Sequence, residues 1–301
     1  MRLCSVSIDL DEIACYGQIH GLEAEASHAV YDLALSRIRA FAADLGVSVT
    51  LFVIGRDLDR AANVAALQTL VADGHEIGNH SLDHWYDLTR RGPAEQEQQI
   101  EGANQRLKRA LGVTPSGFRA PGYTVTDELL TVVAGCGFSY DSSVFPCPPY
   151  YAAKAARLLR MKLAGRSSRA LLDTPSVLRA PAVPYRVGRP YWLPGSGLLE
   201  LPIQVAGPLR APFIGTALSL LGPSAARLLT RSLIGTRLVN LELHGIDFLD
   251  ARDVPAALTA VQPDVRIPLA RKLETFSAVL TLLRKHGYAV LRLDEAARAF
   301  S

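Results

Sequence analysis

A chain of 301 residues that is 49% hydrophobic and 20% charged can bury a large core, which excludes a disordered or low-complexity protein. Its net charge is only +3, and no aromatic-rich basic stretch or recognised binding motif accompanies that charge, so nucleic acid is not an expected partner.

In chain order, residues 2 to 9 read as a buried strand, and apolar positions Leu33, Ile38, Phe41 and Leu45 mark a helix over 32–45 that Gly46 stops. The β-branched run 47–54 predicts the next strand, 61–72 a helix, and 75–79 a short third strand that leads into His80-Ser81-Leu82-Asp83-His84. A polar helix is expected over 95–111, then Ser116-Gly117-Phe118-Arg119, a helix opening at Thr126-Asp127, and Phe138-Ser139-Tyr140-Asp141. Regular alternation resumes with a strand at 198–203, a helix at 225–233, a strand at 237–243, a helix at 270–285 and a strand at 289–293. Seven or eight strands alternating with helices predict an α/β fold, either barrel-like or doubly wound, formed by residues 1–301 as one domain.

The rhythm breaks at 144–196, which reads as a segment inserted over the core. Residues 145–195 carry nine Lys and Arg against Asp173 alone, a local charge of +8 that leaves −5 for the remainder. On a helical wheel, 151–164 sets Lys154, Arg157 and Arg160 opposite Ala152, Ala155, Leu159 and Leu163. This amphipathic segment is either a solvated lid packed on the core or a contact for anionic phosphates, those of a membrane surface or of a lipid- or nucleotide-linked sugar.

Charged and imidazole groups recur where successive strands stop, the edge at which α/β folds place their sites. Asp9 and Asp11 share one face of a strand end, and His80 and His84 are spaced to close on one ion. Two histidines with one carboxylate leave a divalent ion open to water and substrate. Arg119-Ala120-Pro121-Gly122-Tyr123 and Leu241-Glu242-Leu243-His244 end two further strands. Of the other histidines, His286 before Gly287 reads as a dipole partner at a helix C-terminus, and His20, His28 and His75 have no such matching set.

Taken in this order, these segments resemble the polysaccharide deacetylase family, the NodB-homology carbohydrate esterases, over about residues 3–143 and 236–298. Two departures stand out. Leu10 separates Asp9 from Asp11 where adjacent aspartates are commonest, and Gly122 stands between Pro121 and Tyr123. The resemblance implies a distorted (β/α) barrel with an inserted basic lid segment. It also implies that Asp11, His80 and His84 bind a divalent ion, zinc foremost, with cobalt, nickel or iron also suited to such a set. By the same resemblance Asp9 is the general base, Arg119 orients it, His244 is the general acid and Asp141 keeps His244 protonated. The third and fifth motifs give Tyr123 and Leu243 to substrate binding, with an amide near Tyr123 completing the oxyanion site.

The expected reaction is metal-dependent hydrolysis of an N-acyl amide, N-acetyl foremost, on an amino sugar. A deformylase or an allantoinase-like ring-amide hydrolase on the same scaffold is the alternative within the enzymes, and a non-catalytic binding protein the alternative outside them. Residues 1–8 run straight into the first strand with no leader pattern, and Cys4, Cys15, Cys136 and Cys147 form no CxxC pair. The expected location is therefore cytoplasmic, with contact at the inner membrane face. The expected partner is an N-acylated amino sugar bearing a phosphate or lipid, such as a glycoconjugate precursor.

Overall fold

The computed structural model describes residues 2–22 and 27–300. Along the chain lie β1 (Arg2–Asp9), α1 (Ile13–His20), α2 (Leu35–Leu45), β2 (Thr50–Val53), α3 (Ala61–Ala72), β3 (Glu76–Asn79), α4 (Pro93–Leu111), β4 (Gly117–Phe118), α5 (Asp127–Gly135) and β5 (Tyr140–Asp141). The order continues with α6 (Pro148–Leu163), β6 (Tyr185–Val187), β7 (Pro194–Glu200), β8 (Val205–Ala206), β9 (Ala211–Pro212), α7 (Gly215–Arg231), β10 (Leu238–His244), α8 (Ala256–Val261), α9 (Leu269–Lys285), β11 (Tyr288–Val290) and α10 (Leu293–Ala297).

The main sheet runs β10-β1-β2-β3-β4-β5-β7-β6, with β11 also on β1, and it is parallel except where β6 meets β7. Beyond β7 the chain curls back across the open end. Leu201 donates to the Asp141 carbonyl at 2.8 Å, Ile203 to Val144 at 2.9 Å and Gln204 to Asn240 on β10 at 3.1 Å. The result is the expected α/β architecture, a distorted (β/α) barrel.

Strand alternation divides the barrel into an outer apolar face and an inner mixed one. On β1, Cys4, Val6 and Ile8 join Val239, Leu241 and Leu243 of β10 and the helices α2 and α9 in the largest core cluster. The alternate residues Ser5, Ser7 and Asp9 are buried among polar partners inside, and Ser7 Oγ lies 3.2 Å from Asn240 Oδ1. Below them Leu3, Phe52, Tyr140, Leu199 and Leu201 form a second apolar plug. That plug explains the glycine of β4: a Cβ on Gly117 would overlap the Tyr140 ring.

Several element bounds differ from expectation for local reasons. The helix expected at 225–233 begins at Gly215, and Gly222-Pro223 breaks it in the middle, with Gly222 at φ +76°. The strand expected at 198–203 is shifted to Pro194–Glu200, since Pro202 has no N–H to give a ladder. The strand expected at 289–293 ends at Val290, because Leu293–Ala297 forms a helix whose entry is held by Glu295 accepting from the Arg292 amide at 3.1 Å. Helix α1 has no counterpart among the expected elements.

Residues 144–196 pack over the α4 and α5 side through Tyr151, Val177, Ala180, Tyr185 and Tyr191. Helix α6 follows the expected amphipathic pattern only in part: Arg160 is exposed and Ala155 half-buried, but Lys154 and Arg157 are half-buried too, while Leu159 and Leu163 are 58% and 80% exposed. Among the described residues no helix is long and apolar enough to cross a membrane.

The interior plug makes a direct prediction. Gly117→Ala should lower stability to denaturant by about 1–3 kcal/mol through overpacking, whereas Gly135→Ala, which has open space around it, should stay within about 0.5 kcal/mol of the parent. Equal effects of the two substitutions would contradict the close approach of Tyr140.

Candidate active site

Parallel pairing of β1 with β10 sets Asp9 beside His244, Ser7 beside Glu242 and Ser5 beside Asn240. These inward side chains meet Arg119, which leaves β4 fully buried. Its Nη1 donates to Asp9 Oδ1 at 2.6 Å, its Nε to the Ser142 carbonyl at 2.7 Å, and its Nη2 to Ser7 Oγ at 2.9 Å and Ser142 Oγ at 2.8 Å. The guanidinium also lies 4.2 Å over the Phe52 ring. One Asp9 oxygen is thus held, and Oδ2 points toward His80 Nε2, 3.7 Å away.

The histidine pair does not lie on a helix. Ser81 and His84 adopt left-handed backbone conformations, at φ +64° and +54°, which cost about 1–3 kcal/mol each unless the surroundings impose them. Asn79 Oδ1 accepts from the Ser81 amide at 2.7 Å, and Ser81 Oγ accepts from the His84 amide at 3.1 Å. Those contacts impose the turn. His80 Nδ1 is 2.7 Å from the Arg119 carbonyl, so that nitrogen carries the proton and Nε2 is left facing Asp11.

Asp11 Oδ1 stands 3.3 Å from His80 Nε2 and 3.3 Å from His84 Nε2. Even so, Asp11 Oδ1 and His84 Nε2 are buried with no hydrogen-bond partner. Ligating atoms of all three residues lie within 4.8 Å of one another. Burial, with the nearby His80 and Arg56 charges, pushes His84 down to about 4, so its ring is neutral at pH 7. Burial works against an ionised Asp11, but His84 and His80 outweigh it and hold the carboxyl well below the usual carboxylate range. A buried carboxylate oxygen and imidazole nitrogen that converge with His80 Nε2 and lack a hydrogen-bond partner fit a divalent cation, which Asp11, His80 and His84 would hold.

His244 sits across from this set. Its Nδ1 is 2.8 Å from Glu242 Oε1 and its Nε2 3.3 Å from Tyr123 Oη. Burial opposes its charged form, yet Glu242 first, then Asp9 and Asp11, raise it well above the ordinary histidine value. Three expectations are corrected here. Asp141, expected beside His244, accepts instead from Ser143 at Oγ and amide and hydrogen-bonds the Glu200 carboxyl, so its place at His244 is taken by Glu242. Leu243 points into the outer core, because alternation along β10 sends 240, 242 and 244 inward and 241 and 243 outward. The Tyr123 amide is committed to the Ala120 carbonyl at 3.2 Å, so Tyr123 reaches the site through its hydroxyl. Glu242 was legible in principle, being two residues from His244 on one strand face.

Two further tyrosines border the centre. The Tyr16 ring packs edge-on to His244 at 6.3 Å and the Tyr86 ring edge-on to His84 at 4.7 Å, and both hydroxyls are buried without a partner. On the His84 side a cavity of about 410 Å³ opens between Gln18, Arg56, Trp85, Tyr86, Ser168 and Arg169. The inserted segment therefore supplies one wall of it.

Zinc titrated into the protein at pH 7.5 should bind one equivalent, and Asp11→Ala should weaken binding by at least about a hundredfold by calorimetry. Unchanged affinity in that variant would put the ion elsewhere.

The sequence profile described as polysaccharide deacetylase matches residues 34–140. A chitooligosaccharide deacetylase of Bradyrhizobium sp. (strain ANU 289) is 33% identical over 94 residues, 31% of this chain and 42% of that protein. The uncharacterized protein YlxY of Bacillus subtilis (strain 168) is 28% identical over 88 residues, 29% of this chain and 27% of that one. The matched stretch thus spans less than half of either relative. Among solved structures, a protein of Mycobacterium smegmatis provisionally named a polysaccharide deacetylase superposes with a TM-score of 0.62 at 17% identity, covering 99% of this chain and 90% of that one. A CE4 family pseudoenzyme from Bacillus anthracis superposes at 0.50 with 14% identity, covering 98% and 65%. At these identities the superpositions speak for the barrel alone. Profile, relatives and barrel agree: residues 34–140 match the polysaccharide deacetylase family, and the chain is similar in fold to a solved protein given that name.

Proposed function

We propose that this chain is a metal-dependent N-deacetylase that hydrolyses the N-acetyl amide of an amino sugar in a glycoconjugate precursor and releases acetate. The observation that carries the reading is the register of β1 and β10, which sets a held carboxylate, Asp9, beside a protonated imidazole, His244, across from Asp11, His80 and His84. The relatives named chitooligosaccharide deacetylases support the amino-sugar class.

Asp11, His80 and His84 would hold a divalent cation, zinc foremost, which when bound would supply Lewis acidity toward the acyl carbonyl and water. The chain's own residues do the proton work. Asp9 Oδ2, left open because Oδ1 is tied to Arg119, takes a proton from the attacking water as its oxygen bonds to the acyl carbon. His244 Nε2, with Nδ1 committed to Glu242, gives its proton to the amide nitrogen as the C–N bond breaks, so that the sugar leaves as a neutral amine. Tyr123 Oη orients the same imidazole nitrogen.

Fold relatives include pseudoenzymes, so the complete set of groups matters here. Asp9, Asp11, His80, His84 and His244 are all present and assembled, which favours catalysis over a binding role.

Asp9→Asn should lower kcat for acetate release from N-acetylglucosamine oligomers by about 10²–10⁴-fold while zinc still binds. Equal activity in this variant would remove Asp9 as the base. Because the raised value of His244 comes chiefly from Glu242, the acid form is kept at neutral pH and lost as pH rises through that value. Glu242→Gln should therefore move the basic limb of the pH profile to lower pH. A limb that stays in place would return the proton-holding role to another group.

A further inference from the structure

Among the described residues, two half-buried cations of the inserted helix, Lys154 and Arg157, have no carboxylate partner. Lys154 Nζ donates to the Gly122 carbonyl at 3.3 Å and lies 5.5 Å over the Tyr150 ring. Arg157 Nη2 donates to His20 Nδ1 at 2.7 Å, while His20 Nε2 donates to Gln262 Oε1 at 2.8 Å. Burial first, with Arg157 and Arg166 adding to it, pulls His20 down to about 4, so this imidazole is a neutral acceptor and cancels none of the Arg157 charge. Among the described residues neither cation forms an ion pair. Asp173, the carboxyl that acts on Lys154 from a distance, already accepts from Tyr191 Oη at 3.1 Å and from the Thr174 amide at 2.5 Å.

Their position ties them to the active site. Gly122 precedes Tyr123, whose hydroxyl meets His244, and the Tyr150 ring packs on Tyr123 at 6.0 Å. Arg157 is within electrostatic reach of the Tyr86 and Tyr150 hydroxyls. Tyr86 packs on both His84 and Gly122, and its buried hydroxyl has no partner. Among the described residues this guanidinium and ammonium are held by neutral acceptors, and an unpartnered phenol packs on the same Gly122 turn that Lys154 holds; together they are a cradle for an oxyanion. Elsewhere α6 shows Arg160 and Lys162 to solvent together with Leu159 and Leu163, so the helix keeps Lys154 and Arg157 inside at the expense of apolar burial.

We infer that Arg157, Lys154 and the Tyr86 hydroxyl bind an anionic group on the substrate, so that the preferred substrate is an N-acetylated amino sugar carrying a phosphate or carboxylate. This rests on the deacetylase reading and names the substrate class for it. Burial, together with Arg157 and against the pull of Asp173, lowers Lys154 to about 8, which leaves it mostly cationic at pH 7.

The test pairs three probes with three proteins. The probes are N-acetylglucosamine 1-phosphate, N-acetylglucosaminuronic acid and the neutral methyl glycoside of N-acetylglucosamine. Each is measured with wild type, Arg157→Gln and Arg157→Lys, by calorimetric binding to the metal-free protein and by acetate release from the zinc-loaded one. The expected result is that wild type binds an anionic sugar at least about tenfold more tightly than the neutral one. Arg157→Gln should remove that preference through KM with kcat retained, and Arg157→Lys should keep part of it. Which anionic probe leads separates phosphate from carboxylate. No preference in wild type, or an equal loss for charged and neutral sugars in Arg157→Gln, overturns the inference. Acetate release from none of the sugars, with selective anion binding intact, overturns the deacetylase reading and leaves the anion cradle standing.

Discussion

A guanidinium inside a parallel barrel has five N–H donors to satisfy and no water to help, and the placement of Arg119 is the constraint from which the rest of the site follows. Its side chain takes Asp9, Ser7 and Ser142, and its carbonyl takes the Nδ1 proton of His80. One residue therefore orients the Asp9 carboxylate proposed as the base and selects the His80 tautomer that leaves Nε2 facing Asp11. Removing one member of such a buried pair costs about 3–5 kcal/mol, because the other charge is left unmet. Ser7, Ser142 and Asn240 are the polar interior that this arrangement requires.

The same constraint explains why the barrel is built in two chemistries. Outside, Val6, Ile8, Leu241 and Leu243 pack against helices and supply the burial that holds β1 and β10 together. Inside, each alternate position on those strands is polar, and register alone brings Ser7 to Glu242 and Asp9 to His244. A one-residue slip would send every inward group to the helix layer, so the apolar outer face enforces the register that assembles the site. Asp141 and Glu200 belong to the supporting structure: burial raises both carboxyls, their side chains hydrogen-bond each other, and they hold the 142–144 turn that feeds Arg119 and Ala120.

Much of this was readable from residues alone, and the failures have physical causes. Strand β2 is legible as a β-branched apolar run, β1 by its alternation of apolar and polar residues, and β3 by its place between the Asp73-Gly74 helix stop and the histidines. The convergence of Asp9, Asp11, His80, His84, Arg119 and His244 followed from their positions at strand ends. Glu242 is hard to single out in sequence because Leu241 and Leu243 resemble the motif more than the acid between them does, although period-two geometry turns the leucines away from the site. The partner of Asp141 is not legible because a Tyr-Asp-Ser-Ser turn carries no sign of which buried group it meets. The wheel over 151–164 identified an amphipathic helix but not its orientation, which the neutral acceptors His20 and Gly122 decide from distant parts of the chain.

The central claim is that Asp11, His80 and His84, and not the neighbouring group Asp9, Glu242 and His244, hold the cation. Anomalous diffraction at the zinc edge from metal-soaked crystals tests it directly. The account predicts one strong peak within bonding distance of Asp11 Oδ1, His80 Nε2 and His84 Nε2, with Asp9 still on Arg119. A peak centred on Asp9, Glu242 and His244, or no peak at saturating zinc, would contradict it.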